Sequence, residues 1–181
     1  VGSNALAAAT TAEQNTALGR EAAAATTTGS YNTAIGAFSL DANTTGASNT
    51  ALGQGSLGAN TTASNNVAVG KNAMLVNTTG AENVALGFAA LDANTTGNNN
   101  VALGRSALTA NTTASDNIAV GYGAMDANTT GTRNIAIGSA AYDASDTEDD
   151  NIAIGYQAMT TNTAGGQKNI AIGNYAADAL T

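Results

Sequence analysis

The chain contains no cysteine and no histidine, and only five of its 181 residues are basic. Without cysteine there can be neither disulfides nor thiolate metal sites, and the redox compartment leaves no mark on the sequence. Without histidine the commonest general base and the commonest metal ligand are both missing. Arg20, Lys71, Arg105, Arg133 and Lys168 stand against thirteen acidic residues, for a net charge of −8. That balance gives phosphates little to hold, so nucleic acid is not expected as a partner, and anionic membrane surfaces would repel the chain. No apolar run approaches the ~20 residues of a membrane helix, so no membrane insertion is expected of this segment. Neither an initiator methionine nor a signal peptide is visible, which places any secretion signal outside the sequence shown.

What is present is a repeat. The pentad N-x-A-(I/V/L)-G stands at Asn15, Asn32, Asn49, Asn66, Asn83, Asn100, Asn117, Asn134, Asn151 and Asn169. The steps between these asparagines are 17 residues eight times and then 18 once. A fixed period of this kind marks an array of stacked units, and it overrides any domain count drawn from length. Residues 1–181 therefore read as a single array of about ten and a half coils. The Thr, Asn, Gly and Ala content alone would suit a low-complexity linker, but a disordered chain has no physical reason to keep its apolar residues in register.

With the pentad asparagine as position 1, position 2 runs from Thr16, Thr33 and Thr50 through Val67, Val84 and Val101 to Ile118, Ile135, Ile152 and Ile170. Position 3 is always Ala, position 4 is Leu, Ile or Val, and position 5 is Gly. A short β-branched run ending at Gly predicts a strand that stops at a turn. A second short strand is expected around positions 8 to 11, where a small residue is followed by Leu or Met. The corner Asn-Thr-Thr-(Gly/Ala) closes most units, and its residues favour turns. One such unit buries nothing alone, so the expected fold is all-β: a parallel β-solenoid or β-roll of 17-residue coils. Stacking at ~4.8 Å per coil makes it about 50 Å long.

In that stack Asn66, Asn83, Asn100, Asn117, Asn134 and Asn151 should form an amide ladder, as stacked identical side chains do. Positions 2 and 4 should point one way and position 3 the other. Strands apolar on both faces are covered on both faces. The Val, Ile and Leu columns are expected to face the coil interior, and the alanines, among them Ala85, Ala102, Ala119 and Ala136, to face another chain. The alternative is an alanine required by sterics in a single-chain solenoid. The Thr-to-Ile drift at position 2 predicts that the N-terminal coils open first. No capping segment appears at either end, although solenoid ends usually need one. The reading is a segment of a longer fibre or a subunit stacking end to end.

Candidate chemistry is sparse. Asp41, Asp92, Asp126 and Asp143 share position 10, and only Asp126 and Asp143 fall in adjacent coils. Paired carboxylates can cleave glycosides, but no cleft-forming insertion accompanies these. The periodic threonines read as structural, and no enzyme activity or cofactor is expected. The run Asp146-Thr147-Glu148-Asp149-Asp150 offers oxygen ligands to a hard cation through Asp146, Glu148, Asp149 and Asp150, although charge runs are more often solvated loops. Position 17 alternates in sign through Asp116, Arg133, Asp150 and Lys168, which predicts a cross-coil charge ladder. Asn43, Asn60, Asn77, Asn94, Asn111 and Asn128 satisfy the N-glycosylation rule, with turn formation as the competing explanation.

At its pentads the chain resembles the head repeats of trimeric autotransporter adhesins, YadA-like heads carrying an N-S-V-A-I-G motif. The resemblance runs from Val1-Gly2 to Asn169-Ile170-Ala171-Ile172-Gly173, with a longer coil that adds the N-T-T-G corner. It implies a left-handed parallel β-roll, three chains about one axis, and an extracellular adhesive fibre. The 17-residue form is also similar to shafts of phage tail fibres and to large bacterial surface proteins. The function expected is a structural or adhesive fibre segment on a cell surface or virion. Its partners would be copies of itself, as a homotrimer or end-to-end filament, and a host-surface or matrix receptor. The other readings are a phage tail-fibre shaft and an ice-binding solenoid.

Overall fold

A computed structural model describes residues 2–144, 147–160 and 166–178. Each pentad supplies one three-residue strand: β1 (Thr16–Leu18), β2 (Thr33–Ile35), β3 (Thr50–Leu52), β4 (Val67–Val69), β5 (Val84–Leu86), β6 (Val101–Leu103), β7 (Ile118–Val120), β8 (Ile135–Ile137), β9 (Ile152–Ile154) and β10 (Ile170–Ile172). The ten strands form a single parallel sheet in chain order. Like positions face each other throughout, as in Thr50 with Val67, Ala51 with Ala68 and Leu52 with Val69. The 18-residue step keeps this register, because Ile152 still pairs with Ile170. The architecture is a parallel β-solenoid, with the sheet as one wall of every coil.

The second strand expected in each coil is absent among the described residues; positions 6 to 11 are turns. Residues at positions 7 and 9 are left-handed there, as at Phe38 (φ 59°) and Leu40 (φ 53°). Left-handed backbone on bulky residues costs roughly 1–3 kcal/mol each and persists only where the surroundings enforce it. Here the enforcement is hydrogen bonding along the stack. The Phe38 amide reaches back to Arg20 O at 2.9 Å, and the Leu40 amide reaches forward to Ser56 O at 2.9 Å. The turns are therefore tied to both neighbouring coils, as the strands are.

The core is narrow, and the orientation of its faces corrects the sequence reading. Ala85, Ala102, Ala119 and Ala136 are fully buried in the coil interior, not at an outer face. They share one cluster with the position 9 column of Leu40, Leu57, Met74, Leu91, Leu108 and Met125. Position 9 already sends a long side chain across the coil, so the opposing strand has room only for a methyl group, consistent with close packing of protein interiors. The Val, Ile and Leu of positions 2 and 4 consequently point outward.

Glycine at position 5 is required twice over. Gly36 has φ 135°, and a Cβ on it would stand 2.5 Å from Gly53 O in the next coil. Any side chain would push the coils apart at the strand's end.

Candidate functional site

No described group forms a cleft, so the functional surface of this solenoid is a set of columns, each one residue repeated up the stack. Two asparagine columns lie inside. In the first, at position 1, Asn83 N–H donates to Asn66 Oδ1 at 2.9 Å, Asn100 N–H to Asn83 Oδ1 at 2.9 Å, and Asn117 N–H to Asn100 Oδ1 at 3.0 Å. Asn134 and Asn151 continue it, each contact at 2.9 Å. The Nδ2 of each residue turns instead to its own coil, as Asn66 does to Gly80 O at 2.9 Å. The rungs between Asn66 and Asn151 are thus mainly carboxamide-to-backbone.

The ladder of side chain on side chain is the second column, at position 12. Asn60 Nδ2 donates to Asn43 Oδ1 at 2.9 Å, and Asn77, Asn94, Asn111 and Asn128 repeat the contact in turn. Each also donates to the carbonyl three residues on, for example Asn94 Nδ2 to Gly97 O at 3.0 Å. These are the asparagines of the six N-x-T sequences, and all six are fully buried. Their amides are committed inside the coil, so the folded solenoid offers none of them for glycosylation. Turn chemistry explains the motif, with the addition that the turn's asparagine points inward.

The ladder meets a fault after Asn128. Its Oδ1 is buried without a partner among the described residues. The next coil holds Ser145 at position 12, a residue outside the described ones. The same coil carries Tyr142 where its neighbours carry Leu or Met, and this ring is fully buried. Asn151 Nδ2 donates to Tyr142 Oη at 2.6 Å. A large residue at position 9 thus accompanies a small one at position 12.

The described acidic residues of the run, Glu148, Asp149 and Asp150, do not converge on a common point. Asp149 Oδ1 accepts from Thr132 N at 2.7 Å and Thr132 Oγ1 at 2.9 Å. Asp150 takes Arg133 in a forked contact, Nε to Oδ1 at 2.6 Å and Nη2 to Oδ2 at 3.1 Å. Glu148 is buried beneath them. No group of three or more such residues able to hold a metal occurs among the described residues, and Asp146 lies outside them. Of the expected charge ladder at position 17, one rung is an ion pair among the described residues, Arg133 with Asp150, and below it Asp116 accepts instead from the neutral Asn99 Nδ2 at 3.1 Å. The Arg133 hydrogen bonds hold the Asp150 carboxyl below its ordinary range, opposed by desolvation and assisted by the charges of Arg133 and Lys168.

Position 10 behaves in the opposite sense. Partial burial pushes the carboxyls of Asp41, Asp92 and Asp126 up, against hydrogen bonds from backbone amides. Asp143 is raised by burial first and then by its neighbour Asp126.

Three outward columns remain. The first joins positions 2 and 4 into an apolar strip, with Leu18 50 % and Leu86 49 % exposed. Because position 2 lies here, exchanging Thr for Ile adds nothing to a coil's own core, and the expected N-terminal opening loses its premise within one chain. The second is position 14, a threonine exposed in every coil from Thr28 to Thr147. The third is the ribbon at positions 6 and 7. It holds five of the seven aromatic residues, Phe38, Phe88, Tyr122, Tyr156 and Tyr175, and three of the five basic ones. Arg20 lies 4.4 Å from the Phe38 ring centre, and Arg105 lies 5.7 Å from both Phe88 and Tyr122. Counting aromatics by repeat position would have revealed it.

No protein family, curated protein or solved structure matches the chain.

Proposed function

We propose that this chain is a structural segment of an extracellular adhesive fibre, assembled from copies of itself through the outer face of its sheet. The observation that carries the reading is the strip of Val, Ile and Leu at positions 2 and 4. Position 4 carries it along the array, about 50 Å, and position 2 widens it to two apolar side chains from Val67 onward, on the order of 400 Å² in all. Exposed apolar patches of that size often mark interaction sites. A flat row of aliphatic side chains on a regular sheet fits another copy of the same row, since the spacing repeats identically.

The number of copies proposed is three, following the resemblance at the pentads. The resemblance also supports a surface location and a mechanical rather than catalytic role. Backbone hydrogen bonds between coils all along the chain suit a stiff spacer. The test places charge on the strip. Leu86→Glu with Ile118→Glu should yield a folded monomer from a larger native assembly, read by sedimentation and circular dichroism. An unchanged mass would defeat the proposed interface.

Ice binding remains a second reading, favoured by the exposed threonine column from Thr28 to Thr147. Thermal hysteresis that vanished on replacing Thr79 and Thr96 with Tyr would establish it in place of adhesion.

A further inference from the structure

The ribbon at position 6 carries, in successive coils, Phe88, Arg105, Tyr122, Ser139 and Tyr156. Their backbones stack directly: Ala140 N–H donates to Tyr122 O at 2.8 Å, and Gln157 N–H to Ser139 O at 3.0 Å. Aromatic rings therefore recur at every second coil, roughly 10 Å apart at the backbone. In the first gap the Arg105 guanidinium sits midway, 5.7 Å from each ring centre. A cation over an aromatic face is attracted by the ring's quadrupole, and Arg is the usual partner. In the second gap, between Tyr122 and Tyr156, the intervening residue is Ser139, whose side chain is too short to fill it. Tyr156 is braced on the far side by Tyr175, edge to face, with ring centres 5.3 Å apart. Tyr122 and Tyr156 are 58 % and 44 % exposed.

We infer that the gap in this column between Tyr122 and Tyr156, where only Ser139 intervenes, is a binding site for an arginine side chain presented by a partner protein. The neighbouring gap shows the complex in miniature, with the guanidinium supplied by the chain itself. The net charge of −8 draws a basic segment toward the surface, and salt weakens that attraction. The site is independent of the apolar strip and of the fibre reading.

The probe is acetyl-Gly-Arg-Gly-amide, titrated against the intact chain while the tyrosine ring resonances are followed by NMR. Tyr122 and Tyr156 should shift together, while Tyr31, exposed at position 17, stays still. Ser139→Arg fills the gap from within and should weaken binding about fivefold or more, the scale of a cation between two exposed rings. Ser139→Ala should bind as the native chain does, and Tyr122→Leu should lose binding without filling the gap. Absence of any shift, an equal shift at Tyr31, or equally tight binding of the lysine analogue would each overturn the assignment. So would native affinity in a folded Ser139→Arg chain.

Discussion

Replacing Asn94 with Ala should remove about 3 kcal/mol of stability, although the side chain touches no ligand and no surface. Its Nδ2 donates to Asn77 Oδ1 at 2.7 Å and to Gly97 O at 3.0 Å, and its Oδ1 accepts from Asn111 Nδ2 at 2.9 Å. Three hydrogen bonds at about 1 kcal/mol net each give that figure. Two of the bereaved atoms keep other partners: Gly97 O retains Asn83 Nδ2, and Asn111 Nδ2 retains Ala114 O. Asn77 Oδ1 is left buried and alone, which sets the penalty toward the upper side. For a chain of this length the loss corresponds to a fall in melting temperature of roughly 6–12 °C. The assay is urea unfolding and calorimetry at one fixed chain concentration, so that self-association contributes equally throughout. Thr96→Ala, exposed at the same corner, should change stability by less than about 0.5 kcal/mol. A loss below about 1 kcal/mol for Asn94→Ala would refute the ladder as a source of stability.

Other outcomes follow from the same geometry. Leu108→Ala, in the position 9 column, should cost about 2–5 kcal/mol by chemical denaturation, since the narrow core has little with which to refill the space. Tyr142→Phe removes the acceptor for Asn151 Nδ2 and should cost about 1 kcal/mol in the same assay. Asp143 has a folded carboxyl pKa above its unfolded value, so its contribution is full below about pH 3.9 and is lost as pH rises through the folded pKa. Asp143→Asn should therefore stabilise the chain at neutral pH, with the gain vanishing in acid across a melting-temperature series. Asp150 has the opposite sign: its contribution is present above its unfolded pKa and is lost as pH falls through the lowered folded one. Arg133→Ala should flatten that acid limb at low salt and change little at high salt.

The strands were legible because the pentads repeat, and a 17-residue period with Gly at its fifth place allows little else. Which face of each strand lies inside was not. Alternation separates Ala102 from Val101 and Leu103 but does not say which side closes the coil. That is decided by Leu108 and its column, whose side chains cross the interior and leave space only for alanine. The missing second strand has a similar origin. Leu40 and Phe38 carry no sequence mark of left-handed backbone, and the conformation is imposed by hydrogen bonds to Ser56 and Arg20 in other coils. The asparagines at position 12 were visible as turn formers and as N-x-T motifs, yet their inward direction depends on the stack. The pair of Arg133 and Asp150, one rung of the expected ladder, was legible because it needs only period, sign and spacing.

Light scattering of the unmodified chain over a wide concentration range addresses the central claim most directly. Assembly through the outer Val, Ile and Leu strip predicts a particle of three chains, each of 17.6 kDa, persisting on dilution. A homogeneous particle of one chain's mass at every concentration would contradict it and leave the strip as bare surface.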